Sequence, residues 1–467
     1  MRVVIAGGGV AGLETLLALR ELVGSQVEVT LLSPAREFVY RPVTVGEAFE
    51  HSQARTYDLA ELVAGPQRAR LIGDALAEVD AEARAAVTAS GERIAFDALV
   101  VAVGARPREA LPGAFTFRGR PDVPGLRGLL DELAAGTARS VALTLPVERI
   151  WSLPIYELTV MVAQHLRQHG ATTVKVSLVT PEQQPLELFG PEAARAIEPM
   201  LHALGVRLRT ASLPARVRDR VLVLAGGGEV PAHRVITLPL LEGPAVPGLP
   251  HDELGFIPVD RHGRVRGCDG VYAAGDATTF PLKQGGLGAQ QADAVAEAIA
   301  ATCGLAITPE PFNPVLRGLL MTGGAPLYLR AQPQRLPGQA TVAIDAKPRA
   351  RRLTREVSAA AGQPLWWPPA KIAGRYLAPF LATARPDPLS SHLLADHVAS
   401  AGQPLSQAEY EDALGLALLL ADCDARWGDH RSALRALDAA EALQGSLPPE
   451  YETKRMQWRV EARQPWG

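Results

Sequence analysis

The sequence predicts an α/β protein with two Rossmann-like domains and an α-helical C-terminal tail. Three observations support this fold class. A glycine-rich turn joins a strand-like run to a helical run in "RVVIAGGGVAGLETLLALREL"; strand-like and helical segments alternate again over about residues 120–245; and "VYAAGD", near residue 275, is a further strand-like run that ends in Gly-Asp. Alternating strands and helices are typical of parallel sheets covered by helices.

Length and charge narrow the class of protein. The chain has 467 residues, which is typical of two to three domains. A formal net charge of −3 gives no broad attraction to nucleic acid, so we expect no nucleic-acid partner. No apolar run is long enough to span a membrane, and the chain enters a strand at once. We therefore expect no transmembrane span and no signal peptide, and we predict a cytoplasmic protein.

The first turn has the spacing of a dinucleotide-binding fingerprint. Gly7, Gly9 and Gly12 fit G-x-G-x-x-G, with Gly8 as an additional glycine. In this motif the first glycine permits a tight turn, the second lets the backbone approach a pyrophosphate, and the third lets the helix pack against the strand. The helix presents free N–H groups to the phosphates. The usual ribose-binding acid is replaced by Ser33, whose hydroxyl forms a weaker bond.

Later segments carry a wider resemblance. "IAFDALVVAVGARP" (residues 94–107) predicts one apolar strand that enters a turn, and "DGVYAAGDAT" predicts a strand that ends at an aspartate. With the glycine-rich turn, they resemble flavoproteins built from two dinucleotide-binding domains. "PLKQGGLGAQQADAVAEAIA", "PVLRGLLMTGGAPLYLR" and "WWPPAKIAGRYLAPFL" are similar to segments of sulfide:quinone oxidoreductases and type II NADH dehydrogenases, so the resemblance covers about residues 1–382.

The resemblance implies an FAD-dependent oxidoreductase whose separated segments share one FAD. The implied contacts are Gly7, Gly8, Gly9, Ala11 and Gly12 at the pyrophosphate, Ser33 and Pro34 near the ribose, Leu76 at the adenine, Val103, Gly104, Ala105 and Arg106 near the middle of FAD, Gly275 and Asp276 at the ribityl chain, Gln284, Gly285 and Gly286 at the isoalloxazine, and Arg41 as a further cofactor contact. Lys283 is the candidate catalytic residue, because a cation there adds to the positive end of the next helix; a solvated lysine is the alternative.

The second α/β unit lacks the glycines that would bind NAD(P)H. In the alignment on Glu157, Ile150, Ser152 and Ile155 stand at the three glycine positions, and Pro154 removes a backbone N–H. Side chains at these positions obstruct the close approach of a pyrophosphate. The sequence therefore predicts a degenerate domain for which NAD(P)H is doubtful. An NAD(P)H dehydrogenase with an unusual second site remains the alternative.

The electron donor and acceptor are less well defined. Cys268, Cys303 and Cys423 form no C-x-x-C or zinc-type spacing, so we expect no metal and no sulfide oxidation by the usual cysteine pair. In relatives, quinone reaches the flavin between the "QGG" helix and the C-terminal segment. "LRGLLMTGG" and "IAGRYLAPFLA" supply apolar residues there, although a packed core explains them equally well. A small-molecule donor and a quinone or other apolar acceptor are the expected partners.

The tail is predicted to be a separate helical unit. "RWGDHRSALRALDAAEAL" resembles one tetratricopeptide-type hairpin, which needs a surface to dock on. We expect docking on the body or homodimer contact, with peripheral membrane contact and a flavin-bound sensor acting through the tail as alternatives. The predicted boundaries are 1–119 and 246–310 for the FAD-binding domain, 120–245 for the second domain, 311–389 for a flavin-covering segment and 390–467 for the tail.

Overall fold

The computed structural model describes residues 1–64, 69–148, 150–324, 326–331, 358–361, 370–384, 418, 434, 437, 441 and 446–461. The helices in these ranges are α1 (Val10–Val23), α2 (Leu59–Ala64), α3 (Val123–Ala134), α4 (Leu153–Gln168), α5 (Pro191–Ala203), α6 (Gly285–Thr302), α7 (Leu377–Ala384) and α8 (Pro449–Glu461). The strands are β1 (Arg2–Ala6), β2 (Glu28–Leu32), β3 (Glu37–Val39), β4 (Thr56–Asp58), β5 (Arg70–Ile72), β6 (Leu76–Asp80), β7 (Ala85–Thr88), β8 (Arg93–Ala95), β9 (Ala98–Val101), β10 (Arg106–Arg108), β11 (Phe115–Thr116), β12 (Ser140–Thr144), β13 (Lys175–Val179), β14 (Arg207–Arg209), β15 (Pro214–Arg218), β16 (Val221–Leu224), β17 (Glu229–Pro231), β18 (Arg234–Thr237), β19 (Leu240–Glu242), β20 (Val271–Ala273), β21 (Leu316–Leu320), β22 (Leu327–Ala331) and β23 (Ser358–Ala361).

The first large sheet is parallel and has the strand order β20-β9-β1-β2-β5. Val3 pairs with Val29 on one side and with Ala98 on the other. β-Branched and other apolar side chains fill its central strands because both faces are covered, one by helices α1 and α6 and the other by strands β6 and β7 with nearby loops. The carboxyl ends of β1, β9 and β20 meet at one edge, which is where open parallel sheets bind ligands.

The second large sheet is also parallel, with the order β11-β18-β12-β13-β14. Helix α4 packs against this sheet, and its residues from Leu153 to Ala163 are almost all buried. Helices α3 and α5 complete the cover, with an apolar stripe on each helix turned inward. Two Rossmann-like units are therefore confirmed. Smaller antiparallel sheets are also present, among them β6-β7-β8, β15-β16-β17 and β21-β22-β23.

Some predicted boundaries were wrong. The run 94–107 is not one strand but the three strands β8, β9 and β10, because Asp97 turns the chain into the parallel sheet and accepts hydrogen bonds from Arg2. Asp276 does not end strand β20. It lies in a 3₁₀ turn, Gly275–Ala277, directly after it. That turn begins at Gly275 with a φ of +75°, a conformation that glycine adopts without strain.

Most of the tail lies outside the described residues, including Gly428 and Asp429 of the predicted hairpin and Cys423. The "WWPP" run, residues 366–369 in the segment before the tail, also lies outside them. Within the described part, Leu418, Leu434, Leu437 and Glu441 are helical, and Leu437 is fully buried. Helix α8 follows, and its Arg455 forms an ion pair with Glu441 at 2.8 Å.

Candidate functional site

The glycines after β1 form a tight cradle at the start of α1. A Cβ atom on Gly7 would lie 2.2 Å from the carbonyl oxygen of Ala102, and one on Gly12 would lie 1.8 Å from the carbonyl oxygen of Gly7. Glycine is required at both positions because the atoms in the way are backbone. A Cβ atom on Gly9 would meet nothing within 4 Å. Space is therefore present where the fingerprint predicts a pyrophosphate.

The start of α1 is suited to an anion. Its N-cap is Gly9, which makes no side-chain cap, and its first turn carries no acidic residue. The N–H groups of such a helix start stay available, and the helix dipole favours negative charge there. The neighbouring Gly104 adopts a φ of +76° and faces open space. This combination fits the diphosphate of a dinucleotide.

The predicted ribose and adenine contacts differ in accessibility. The hydroxyl of Ser33 is buried and donates to the carbonyl oxygen of Ala35 at 3.2 Å, which stabilises the turn after β2. Pro34 is exposed beside it, and Leu76 is half-buried at the start of β6. The roles of these three residues toward FAD stay predictions.

Three charged side chains meet after β20. The charges of Lys283 and Arg41 both act on Asp276, although burial outweighs them and raises the pKa of its carboxyl. The Lys283 ammonium lies 3.8 Å from the centre of the Phe256 ring and donates to the carbonyl oxygen of Thr278. Burial lowers the pKa of Lys283 to about 8, against the opposing charges of Asp276 and Asp252. Lys283 is thus a half-buried, partnered cation rather than a freely solvated lysine.

The start of α6 lies beside this charged group. Gln284 is the N-cap, and its side-chain oxygen accepts from the N–H of Leu287 at 2.8 Å. A Cβ atom on Gly285 would lie 3.2 Å from the Ile372 side chain, and one on Gly286 would lie 3.3 Å from the backbone nitrogen of Ala373. These glycines therefore also give room for residues 370–377, which we call the strap.

A cavity of about 670 Å³ opens between the two large sheets. Asp276, Lys283, Gln284 and Gly285 line its FAD-domain side. The rest of the lining is mainly apolar: Phe256 and Phe280 lie near Lys283 in the chain or in space, and the remaining apolar residues are Phe117, Val147, Ile150, Trp151, Leu153, Leu238, Leu240, Leu241 and Leu254. A volume of this size is typical of small-molecule sites.

A buried ion pair lies at the wall of the cavity. Lys371 of the strap contacts Oε1 of Glu157 on α4, and their side chains are 6% and 1% exposed. The same oxygen accepts from the N–H of Met321 at 2.8 Å, whereas Oε2 is buried without a hydrogen-bond partner among the described residues. Burial raises the pKa of Glu157, and the charge of Lys371 opposes that shift. The pair can hold or move a proton at the cavity.

A polar cluster and apolar side chains fill the region where a second dinucleotide would lie. Ser152 is 1% exposed, and Ile155 and Tyr156 are fully buried. The Tyr156 hydroxyl donates to Oε2 of Glu182, which also accepts from the Thr180 hydroxyl at 2.8 Å. Burial raises the pKa of both Tyr156 and Glu182. Side chains of the protein thus fill the start of α4, where the sequence alignment predicts the positions of the second glycine motif.

A model of the pyridine nucleotide-disulphide oxidoreductase family matches residues 1–134 and 158–301. The chain belongs to this family. It is an FAD-dependent oxidoreductase, as the resemblance in its sequence implied. The match leaves out residues 135–157, which contain β12 and the turn with Ile150, Ser152 and Ile155.

Several curated relatives are similar to this oxidoreductase. The ferredoxin reductase component of a chlorobenzene dioxygenase from a Cupriavidus species is 27% identical over 403 residues, which cover 74% of this chain and 89% of that protein. An NADH dehydrogenase-like protein of Mycobacterium tuberculosis is 28% identical over 296 residues, which cover 59% of this chain and 72% of that protein.

Solved structures share the fold of the oxidoreductase. The sulfide:quinone oxidoreductase of Aquifex aeolicus aligns with a TM-score of 0.64 and 21% identity, covering 71% of this chain and 84% of that one. A ferredoxin reductase from Rhodopseudomonas palustris aligns with a TM-score of 0.54 and 19% identity, covering 71% and 82%.

Other expectations concern cysteines, metals and membranes. Cys268 and Cys303 are free thiols outside the cavity wall, and burial raises the pKa of each. Across the described residues, no cluster of His, Cys, Asp and Glu has the arrangement of a metal site. None of the helices in that part of the chain combines the length and apolar character needed to cross a bilayer.

Sequence reasoning missed four residues of the oxidoreductase that join its parts. No sequence pattern indicated a role for Glu14, Tyr40, Glu157 or Lys371. The Tyr40 hydroxyl accepts from the N–H of Ile372 at 3.0 Å, and the carboxylate of Glu14 accepts from two strap N–H groups. An available signal was the acid Glu14 among the apolar residues Leu13, Leu16 and Leu17 of α1.

Proposed function

We propose that this oxidoreductase passes electrons from a small-molecule donor through FAD to an apolar, quinone-like acceptor that enters the 670 Å³ cavity. The observation that carries this proposal is the cavity itself, which has the predicted flavin-contacting residues Asp276 and Gly285 on one side and an apolar wall on the other. Apolar pockets with a few placed polar groups suit such ligands.

The residues present fit FAD. The turn from Gly7 to Gly12 would hold the diphosphate. Asp276 would accept a hydrogen bond from a ribityl hydroxyl, and the start of α6 would face the isoalloxazine. FAD supplies two-electron redox chemistry when bound. Lys283 contributes positive charge beside Asp276, and the apolar wall excludes water from the cavity.

Glu157 and Lys371 are proposed to serve proton transfer. Reduction of a quinone-like molecule consumes protons, which must reach a cavity with apolar walls. Glu157 has a buried, unpartnered Oε2, and Lys371 stabilises the ionised state that follows proton release. A positioned carboxyl group of raised pKa is a suitable general acid.

Buried side chains of the second unit support a proposal about the electron donor. Because Ser152, Ile155 and Tyr156 are buried at the start of α4, where a pyrophosphate would need close approach, we propose that the donor is not a nicotinamide nucleotide. The NAD(P)H dehydrogenase alternative requires these side chains to leave the core.

The test is a pair of anaerobic half-reactions on the purified holoprotein. Flavin absorbance is followed first with sulfide, thiols, NADH and NADPH, and then, after photoreduction, with a short-chain quinone. We expect reoxidation by quinone and no bleaching by either nucleotide. Rapid bleaching by NADH contradicts the donor proposal, and failure of every quinone to reoxidise the flavin contradicts the acceptor proposal.

Variants locate the reaction in the cavity. Glu157→Gln should slow quinone reoxidation by about 10²-fold or more, which is typical of a lost general acid. Glu148→Gln is the matched control, since Glu148 is exposed on the same segment and absent from the cavity wall. Equal rates for both variants would remove Glu157 from the mechanism.

A further inference from the structure

The carboxylate of Glu14 connects the cofactor helix to the strap. Glu14 lies on α1, two residues after the cradle glycine Gly12, and is fully buried. Its Oε1 accepts from the N–H of Tyr376 at 2.8 Å and its Oε2 from the N–H of Leu377 at 2.7 Å. Leu377 is the first residue of α7, so this acid caps the helix that ends the strap.

The approach is close enough to require glycine. A Cβ atom on Gly374 would lie 2.5 Å from Oε2 of Glu14. Because the Glu14 oxygens are fixed by two backbone N–H groups, they cannot move aside for a larger residue. The strap is therefore fitted to this carboxylate.

A second buried acid faces Glu14 from the neighbouring helix. The carboxyl of Asp293 on α6 is within hydrogen-bonding reach of the Glu14 carboxyl, and its Oδ1 is buried with no partner in the described part of the chain. Two carboxyl groups in contact cannot both be ionised at low cost. One proton must lie between them.

The proton belongs mainly to Asp293. Burial, followed by the charge of Glu14, raises the pKa of Asp293 to about 8. Burial raises the pKa of Glu14 to about 7, although the strap N–H groups act against this shift. Because Glu14 accepts two backbone N–H bonds, whereas Oδ1 of Asp293 has no partner among the described residues, the negative charge is stabilised on Glu14 and the proton on Asp293.

Other charges surround the pair. Arg375 of the strap acts on Asp293 and also contacts Glu297 of α6 at 3.7 Å. Arg317 of β21 faces Asp293, and the Tyr376 hydroxyl is influenced by Arg375 and by Glu21 of α1. The side chain of Arg375 is 65% exposed, so solvent weakens its effect on the buried pair.

We infer that Glu14 is a positioning residue: with a protonated Asp293 beside it, its carboxylate holds the strap against α1 and keeps Lys371 and Ile372 in the cavity wall. The inference rests on the proposed function for the meaning of the cavity, but the position of the strap can be measured without any redox reaction. Loss of the shared proton places two charges in contact, and the strap loosens.

Cleavage by endoproteinase Lys-C after Lys371 measures this position on the FAD-loaded protein. The sequence has five lysines, at 175, 283, 347, 371 and 454, so each fragment can be assigned by mass. The Lys371 side chain is only 6% exposed and must leave Glu157 to be cleaved. Rates are normalised to a free peptide to remove the pH dependence of the protease.

The expected cleavage rates distinguish the role of Glu14 from that of Asp293. In the wild type, normalised cleavage should be slow at pH 7 and about tenfold faster at pH 9.5, when Asp293 has lost its proton. Asp293→Asn should remain slow at pH 9.5, because its amide stays neutral and can donate to Glu14. Glu14→Gln should be cleaved quickly at both pH values, since one strap N–H then faces an amide NH₂.

The control is Glu28→Gln, which removes an exposed acid from β2, the strand after α1, and should behave as the wild type. A wild-type rate that is flat between pH 7 and pH 9.5 overturns the inference, and so does an Asp293→Asn protein that accelerates like the wild type. If Glu14→Gln does not fold, the comparison of cleavage rates between Asp293→Asn and the wild type still tests the inference. None of these rates depends on quinone, so a failed acceptor assay leaves the result interpretable.

Discussion

Lys371 and Glu157 form a buried ion pair that joins the strap to helix α4 of the second unit. Removing only the cation leaves a buried carboxylate. We expect Lys371→Met to lower the free energy of unfolding by about 3–5 kcal/mol at pH 8. The loss should be smaller at pH 5, where Glu157, whose pKa burial already raises, can take up a proton. Urea titrations at both pH values measure this.

The double variant Lys371→Met/Glu157→Gln is the control for this prediction. Because it removes both charges, it should recover much of the stability lost in the single variant. A double variant as unstable as Lys371→Met would show that packing of the lysine stem, rather than charge pairing, is responsible.

Gly9 and Gly12 provide a matched pair for the cradle. Gly12→Ala should destabilise the protein even without cofactor, because its Cβ would lie 1.8 Å from a backbone oxygen of Gly7. Gly9→Ala has free space around its Cβ and should leave the thermal midpoint of the apoprotein nearly unchanged while weakening FAD binding. Calorimetry of the apoprotein and fluorescence titration with FAD separate the two effects. Equal stability losses would contradict the assignment of that space to the cofactor.

Asp276 should be needed for FAD affinity. A hydrogen bond to a charged group contributes about 1.5–3 kcal/mol, so Asp276→Ala should raise the dissociation constant of FAD by roughly 10- to 100-fold. Asp269→Ala is the control, since Asp269 lies in the turn before β20 and away from the cavity. Retention of FAD by Asp276→Ala during dialysis, equal to the wild type, would place the ribityl chain elsewhere.

Lys283 should make stability depend on pH above neutrality. Burial lowers its pKa from 10.5 to about 8, so between these values the folded protein binds fewer protons than the unfolded chain. Stability contributed by this group therefore rises as pH increases from about 8 to 10.5. In Lys283→Met this rise should be absent, whereas Lys175→Met, an exposed control, should keep it. Denaturation midpoints at pH 7, 8, 9 and 10 provide the measurement.

Tyr156 should stabilise the filled turn of the second unit. In Tyr156→Phe, Oε2 of Glu182 keeps only the hydrogen bond from the Thr180 hydroxyl. The free energy of unfolding should fall by about 1–3 kcal/mol, as for other buried polar groups that lose a partner. Tyr57→Phe, at a half-buried tyrosine of the first unit, is the comparison. If Tyr156→Phe is as stable as the wild type, the hydroxyl does not hold Glu182 in this core.

The glycine motif of the first unit was predictable from the sequence, because a glycine turn between a β-branched strand and an apolar helix has few other interpretations. Gly7, Gly12 and the start of α6 therefore lie where the motifs placed them. The strand break near Asp97 was missed because the apolar run continues through it. The contacts of Glu14, Tyr40 and Lys371 could not be predicted, since they join residues more than 200 positions apart and leave no periodic signal.

The late position of Lys371 in the chain also has a consequence for synthesis. The cradle at Gly7–Gly12 is translated first, Asp276 and Gly285 follow, and the strap emerges only after residue 370. Chains fold as they leave the ribosome, beginning with their N-terminal parts. The wall formed by Lys371 and Ile372 can therefore be completed only after most of the chain has been made.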